Sequence, residues 1–418
     1  MILTLNAGSS SLKFSVFNLA AGEEEVANGL VERIGSAAGQ ATFEIGGEKQ
    51  RLDFQGDHGD ALSQIGGFLR KQSRRTAGQG SMLDEIKAVG HRVVHGGEAL
   101  QQPTIITSEV EQTIERLIPL APLHNPVNLQ GIQLAKEALA NVPHVAVFDT
   151  AFHSTMPDHA YRYPVPNEWY TKHGVRKYGF HGTSHAYVSA VARSRYARIL
   201  VPRTGQVLSS APAAGAEEEK KHDKIITLHL GNGCSAAAIV GGKCVDTTMG
   251  LTPLEGLMMG TRAGDVDPGL ASYMHGLGMS VADYDKALNK ASGLLGIAAE
   301  NDMRTLLSMR EEGSASARLA IAMFVYRLRK TVGAFAAAMG GIDALIFTAG
   351  IGENAAVIRA EVCEGLGFLG IEISTELNAI RNNEPRFIGH GKCPVLVVPT
   401  NEELQIARAT AAVIGAAV

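Results

Sequence analysis

Ile2-Leu3-Thr4-Leu5-Asn6-Ala7-Gly8-Ser9-Ser10-Ser11 has a counterpart in Ile226-Thr227-Leu228-His229-Leu230-Gly231-Asn232-Gly233-Cys234-Ser235. Laid over one another without a gap, Thr4, Leu5 and Gly8 fall on Thr227, Leu228 and Gly231. Each copy reads as a strand, a tight turn of small polar residues and a second strand. Leu12 to Phe17 continues the first copy, and Ala236 to Val240 continues the second. Glycine in such a turn adopts backbone angles that other residues avoid, and no side chain keeps a phosphate from the N–H groups. Two copies predict two similar domains facing one phosphate chain. Two unrelated Gly/Ser hairpins are the alternative that spacing alone leaves open.

The bulk properties narrow the class. At 418 residues the chain exceeds one core, and two or three domains of about 100–200 residues are expected. Hydrophobic content of 45% and charged content of 19% describe an ordinary globular protein. A formal net charge of -4 gives no global attraction to nucleic acid or to an anionic membrane, so neither is expected as a partner. Cys234, Cys244, Cys363 and Cys393 form no CxxC pair and read as buried small residues of a reducing compartment. Met1 leads into a strand with no basic leader, and no apolar run approaches the roughly 18 residues of a membrane span. A cytoplasmic protein is expected.

Strands and helices alternate beyond the first hairpin, which predicts α/β architecture. Asn125-Pro126 predicts an N-cap and first helical turn, with the helix running to about Ala140 and a buried strand from His144 to Phe148. A second helix is expected from about Ala315 to Met339, with Leu319, Met323, Tyr326 and Leu328 apolar and Gly340-Gly341 as its stop. Ala344 to Thr348 reads as a strand, and the last helix begins near Asn401. Arg195 to Lys224, rich in Ser, Ala, Pro, Gly and charge, reads as a surface insertion.

Several clusters could carry chemistry, each with a plainer reading beside it. NAGSSSLK, Asn6–Lys13, is not a Walker A loop: it lacks the G-x-x-x-x-G-K-[ST] pattern and leads into a strand. Asn6 would place an amide oxygen on a hydrated cation and Lys13 a charge near phosphate, although an Asn in a turn commonly bonds its own backbone. Gly350 to Asn354, between strand and helix, suits a nucleotide resting on backbone amides, or simply a tight turn. Arg92 and Arg262 sit in polar, glycine-rich settings, and a guanidinium fork fits carboxylate or phosphate as readily as loop carbonyls. Asp149 follows an apolar strand, a usual address for a catalytic or metal-binding carboxylate as well as for a turn aspartate. Thr400 and Glu403 have capping-box spacing, which would leave Glu402 for a cation. His91/His95 and His181/His185 lack the glutamate of a zinc-protease motif, so zinc is not expected.

NAGSSSLK, GHRVVHGGE, PLHNP, VFDTAFH, YGFHGTSH, HLGNG, DTTMGLTPLEGLMMGTR, GIGEN and PTNEEL together resemble the acetate kinase family, in the superfamily of acetate and sugar kinases, heat-shock ATPase chaperones and actin. The resemblance covers nearly the whole chain. It implies a duplicated two-domain α/β fold of the actin-like ATPase type with ribonuclease H-like halves and an interdomain active site. Residues 1–150, completed by helix 404–418, would be the acyl-kinase domain, and 151–403 the nucleotide-binding domain. Asn6 and Glu402 would hold Mg²⁺, for which Mn²⁺ can substitute. Lys13, His229, Leu230, Gly231, Asn232 and Gly233 would contact ATP phosphates. Asp302, Met303, Arg304 and Gly350, Ile351, Gly352, Glu353 and Asn354 would surround the adenosine. Arg92 would bind the substrate carboxylate, His181 and Arg262 would stabilise the phosphoryl group in flight, and Asp149 would be the acidic member of the site.

The implied reaction is reversible transfer of the ATP γ-phosphoryl group to acetate. Val94, Leu123 and Pro253 would wall off the methyl group, and one methylene there is worth only about 1–3 kcal/mol, so propionate is an expected slower substrate. The family also implies a homodimer. A related acyl or sugar kinase and an ATP-driven chaperone or filament subunit of the same fold are the rival readings. The insertion is longer than the family's usual connection, and Cys234 and Ala263 stand where small or polar residues are expected.

Overall fold

A computed structural model of the chain describes residues 1–72, 81–195, 223–389 and 391–415. It divides into two compact units, Met1–Ala151 with the chain from Asn401 onward, and Phe152–Thr400. Of the expected insertion only Arg195, Asp223 and Lys224 are described: Arg195 closes the helix Gly182–Arg195 and Lys224 opens a strand. The rest of that expectation lies outside the described residues.

The first unit is built on an eight-stranded sheet: β1 (Ile2–Gly8), β2 (Ser11–Asn18), β3 (Glu24–Glu32), β4 (Gly39–Ile45), β5 (Glu48–Phe54), β6 (Ala88–Val93), β7 (Thr104–Ile105) and β8 (His144–Phe148), in the order β5-β4-β3-β2-β1-β6-β8-β7. The second has six strands: β9 (Lys224–Leu230), β10 (Cys234–Val240), β11 (Lys243–Thr247), β12 (Ala344–Thr348), β13 (Arg386–Phe387) and β14 (Val395–Val397), in the order β11-β10-β9-β12-β14-β13. From β3 to β7 and from β11 to β13 the two orders coincide. Each begins with a three-stranded antiparallel meander, continues with two parallel additions and ends on an antiparallel edge strand. The duplication read from the hairpins is therefore a duplication of whole sheets.

The hairpins are not identical. Gly8 faces Ser11 across a two-residue turn, whereas Leu230 faces Cys234 across Gly231–Gly233, closed by the Gly231 N–H donating to the Gly233 carbonyl at 3.0 Å. Leu5 lies opposite Phe14, but its counterpart Leu228 lies opposite Ala236. The first strands match without a gap, and the return strand is slipped by one residue.

Helices cover the sheets. Val188 and Ala192 of Gly182–Arg195 share a core with Ile225, Ala237, Ile346 and Leu396. Ile406 of the helix Glu402–Ile414 packs on Val145 and Val147 of β8. Each of these helices follows the last parallel strand of one unit and covers the sheet of the other. Two expectations need correction. The helix Asn125–Ala138 has His124 at its N-cap, because the Asn125 amide is spent on the His95 backbone. Ala315–Met339 is a helix with Ser314 accepting from the Ala317 N–H and Gly340 at φ 69° ending it, but Leu319 and Tyr326 are exposed. Its buried stripe includes Ala317, Ala320, Ile321, Phe324 and Leu328, and small alanines hide such a stripe from a reading based on large side chains. Among the described residues no helix is long and apolar enough to cross a membrane.

Candidate active site

β1, β6 and β8 are parallel neighbours, so their carboxyl ends open on one edge of the sheet. Asn6 stands near the end of β1, Arg92 near the end of β6, and Asp149 just past β8. In open α/β sheets ligands bind outside these ends. Asp149, 1% exposed, takes Arg92 side-on: Nε donates to both carboxylate oxygens at 3.1 Å and Nη2 to Oδ2 at 2.5 Å. Arg92 Nη1 donates to Asn6 Oδ1 at 3.2 Å. Burial disfavours the Arg92 charge, but Asp149, Glu402 and Glu403 outweigh it and raise its pKa.

Buried amides hold this edge in place. Asn128 donates to the Ala7 carbonyl at 2.8 Å and accepts from the Val94 N–H at 3.0 Å, tying the segment after Asn6 to the segment after Arg92. Asn125 does both with the His95 backbone, and the Gly96 N–H donates to Thr150 Oγ1 at 3.1 Å. His58 Nε2 bonds the Gly8 carbonyl at 2.8 Å and steadies the turn from behind.

Other expected residues of this unit stand differently. Lys13 is ion-paired with Glu403. The expected Thr400–Glu403 capping box is absent: Asn401 caps the helix by accepting from the Leu404 N–H, and Thr400 Oγ1 bonds Ser184. Glu403 is paired with Lys13 instead. Glu402 remains in the first helical turn, near enough to Arg92 to stabilise its charge. Val94 is buried, but Leu123 is 65% exposed, and Pro253 belongs to the second unit, where its carbonyl accepts from Arg262 Nη1 at 3.2 Å. The three-residue apolar wall is thus not assembled within either unit.

In the second unit His181 sits at φ 56°, a left-handed angle that costs a non-glycine residue strain and tends to occur at functional sites. Its ring stacks on His229 with centroids 4.2 Å apart, and its Nδ1 lies 2.9 Å from Ser235 Oγ. A Cβ placed on Gly233 would lie 3.4 Å from His181 Nε2 and 3.6 Å from Arg262 Nη1, so both groups border this glycine. Burial lowers the Arg262 pKa, opposed by Cys234.

An open groove of about 860 Å³ is lined by Gly231, Asn232, Asp302, Met303, Arg304, Gly350, Ile351 and Asn354, all singled out from sequence. Asn301, Leu307, Ala355 and Arg381 complete it. Asp302 caps the helix Met303–Glu311, and its pKa is lowered to about 2 by the Arg304 side chain and the helix N–H groups. Asn232 approaches so closely that a Cβ on Gly260 would fall 2.0 Å from its Oδ1, which explains the glycine before Thr261-Arg262. Gly350–Asn354 lies inside a short helix, Ala349–Asn354, rather than in a loop ahead of one. Glu353 faces inward, accepting from the N–H groups of Ala349 and Thr400 at 2.8 and 3.1 Å. Leu230, fully buried, and the His229 side chain, bonded to Ser184, do not line the groove.

Residues 1–202 and 206–408 match the Acetokinase family. The chain belongs to that family. It is 47% identical over 422 residues to the acetate kinase of Deinococcus deserti, covering 100% of this chain and 98% of that one. Among solved structures it is similar to Porphyromonas gingivalis acetate kinase, with a TM-score of 0.87, 41% identity and 99% of each chain covered. It is also similar to a propionate kinase from Francisella tularensis, with a TM-score of 0.86, 40% identity and 98% of each chain covered. These acetokinase-type structures have the duplicated actin-like ATPase fold expected here. The sequence pointed to Asn6, Arg92, Asp149 and the groove because motif residues carried them. It missed His58, Asn128 and Arg381, whose roles depend on contacts between distant segments.

Proposed function

We propose that the chain catalyses Mg²⁺-dependent, reversible transfer of the γ-phosphoryl group of ATP to acetate, giving acetyl phosphate and ADP. The observation that carries this reading is the guanidinium of Arg92 clamped by buried Asp149. Of the five N–H groups of an arginine, three are spent on Asp149 and Asn6, leaving two for a carboxylate. A carboxylic acid with a pKa of about 4.3, like that of Glu, is ionised at neutral pH and needs no general base. It needs in-line positioning and relief of repulsion between two anions. Asp149 serves this by holding the plane of Arg92, and takes no proton.

Asn6, Glu402 and Asp149 offer hard oxygen donors, and no cluster of three or more His, Cys, Asp or Glu side chains suited to a metal occurs among the described residues. Such a donor set suits Mg²⁺, which keeps water and binds largely through substrate phosphates. Asn6 and Glu402 would hold it, with Mn²⁺ able to replace it, and the ion would neutralise phosphate charge. The second unit would hold the nucleotide in the groove at Asp302–Arg304 and Gly350–Asn354, with His181 and Arg262 on the phosphoryl group. Lys13, paired with Glu403, would still have ammonium N–H groups to offer a phosphate.

Acetate is favoured over propionate by buried Val94. A cytoplasmic setting fits four buried free cysteines. A homodimer fits the exposed Tyr273, Leu277 and Val281, which a second copy would cover. The test is ADP release measured with acetate, propionate and no acid. Acetate should give the highest kcat/KM. A propionate preference would reassign the substrate, and acid-independent turnover would favour a chaperone-type ATPase.

A further inference from the structure

Behind His181 runs a chain of buried polar side chains that motif reading leaves unassigned. His181 Nδ1 lies 2.9 Å from Ser235 Oγ, Ser235 Oγ lies 2.8 Å from His185 Nε2, and His185 Nδ1 lies 2.7 Å from Thr227 Oγ1. Thr227, His185 and Ser235 are each 0% exposed. Thr227 is on β9, Ser235 on β10, and His185 on the helix Gly182–Arg195. Three separately positioned elements thus form one chain of hydrogen bonds that ends on the His181 imidazole.

The direction of the chain follows from its far end. Among the described residues the Thr227 hydroxyl has one hydrogen-bond partner, His185 Nδ1. A hydroxyl has a single proton, and leaving it unbonded in a buried site is costly. Thr227 therefore donates to His185 Nδ1, and His185 carries its own proton on Nε2. That N–H donates to Ser235 Oγ, whose proton goes to His181 Nδ1. With Nδ1 accepting, the His181 proton sits on Nε2, the nitrogen that borders Gly233 beside Arg262. Reversing the chain would strand the Thr227 proton, a bias of about tenfold or more in tautomer population.

We propose that Thr227, His185 and Ser235 form a polarised hydrogen-bond chain that fixes His181 as the Nε2–H tautomer, making them positioning residues for phosphoryl transfer. The inference rests on the kinase reading above and says how its histidine is armed: His181 presents a donor without first acquiring a charge. Burial, together with neighbouring His153 and His229, keeps His185 neutral, as the relay requires. In the first unit the counterpart Thr4 donates to the Ser15 carbonyl within its own hairpin, so the relay belongs to the second unit only.

Two substitutions at one position separate this role from packing. Thr227→Val keeps volume and removes the hydroxyl, and Thr227→Ser keeps the hydroxyl and removes the methyl. The relay predicts kcat down about tenfold for Thr227→Val, by comparison with the hundredfold or greater cost of deleting a transition-state donor outright. KM for acetate and ATP should change less than about twofold, and Thr227→Ser should retain kcat. A purely structural role predicts the reverse order, and that order would overturn the proposal. ¹⁵N NMR of histidine-labelled protein should show His181 as the Nε2–H tautomer in wild type and as a mixture in Thr227→Val, and an Nδ1–H tautomer in wild type would also overturn it. Should the wild type show no acetate-dependent turnover, the kinase reading fails by itself, and the NMR tautomer still decides the relay.

Discussion

Arg92 has its side-on edge on Asp149 and an Nη1 proton on Asn6, so its orientation exists before any substrate arrives. Two substitutions probe this. Asp149→Asn keeps the shape and removes the charge, and kcat should fall roughly a hundredfold, comparable to losing a preorganised donor. Steady-state kinetics at saturating Mg²⁺ checks it; near-full activity would mean that Asp149 only fills space. Arg92→Lys keeps a positive charge but loses the planar fork. KM for acetate should rise about tenfold or more, ~1.4 kcal/mol, and an unchanged KM would place the carboxylate elsewhere. At this scale the sequence was informative where charged residues stand at strand ends, as at Arg92 and Asp149, which the fold brings into contact. It misled at Glu353 and Leu230, where a motif mixes groove-facing with inward-facing positions.

At the scale of elements, the helix Asn125–Ala138 does more than cover a sheet. Its first turn sends Asn125 to His95 and Asn128 to Ala7 and Val94, so one helix sets the spacing between the strands that carry Asn6 and Arg92. Asn128→Ala would leave the Ala7 carbonyl and the Val94 N–H without this partner. Unfolding free energy should drop by about 2–6 kcal/mol, the cost of two buried unsatisfied groups, and activity should fall with it. Urea denaturation monitored in parallel with kcat would show whether the helix has this role; a stable variant with full activity would deny it. PLHNP announced a helix start, but an asparagine beside a proline reads as a cap from sequence alone. Only the partner strand reveals that its amide is engaged elsewhere. The same limit hid the inner face of Ala315–Met339, whose alanines pack closely without a strong hydrophobic signal.

The whole molecule is two copies of one sheet order specialised by small differences. Slippage of one residue in the second hairpin makes room for Gly231–Gly233, and Thr227 bonds outward to a helix where Thr4 bonds within its hairpin. Local hairpin chemistry made the duplication visible in sequence, while the exchange of covering helices depends on long-range topology. Each unit also buries a histidine whose pKa is pushed down to about 4 by burial: His95 in the first and His153 in the second. In His153, Nε2 donates to the Phe180 carbonyl at 2.9 Å and Nδ1 lies 3.1 Å from Cys244 Sγ, so an added proton has no acceptor of comparable strength. The folded pKa lies below the unfolded value of about 6.5, so each group's contribution is fully present above pH 6.5 and is lost as pH falls toward 4. By pH 5 each histidine should cost about 2 kcal/mol. Chemical denaturation at pH 7 and pH 5 should therefore show both units weakened. His153→Gln should lessen the pH dependence of the second unit's transition, with buried His185 accounting for part of what remains, and leave that of the first unchanged; an equal lessening of both would show that the pH response is not divided between the two units.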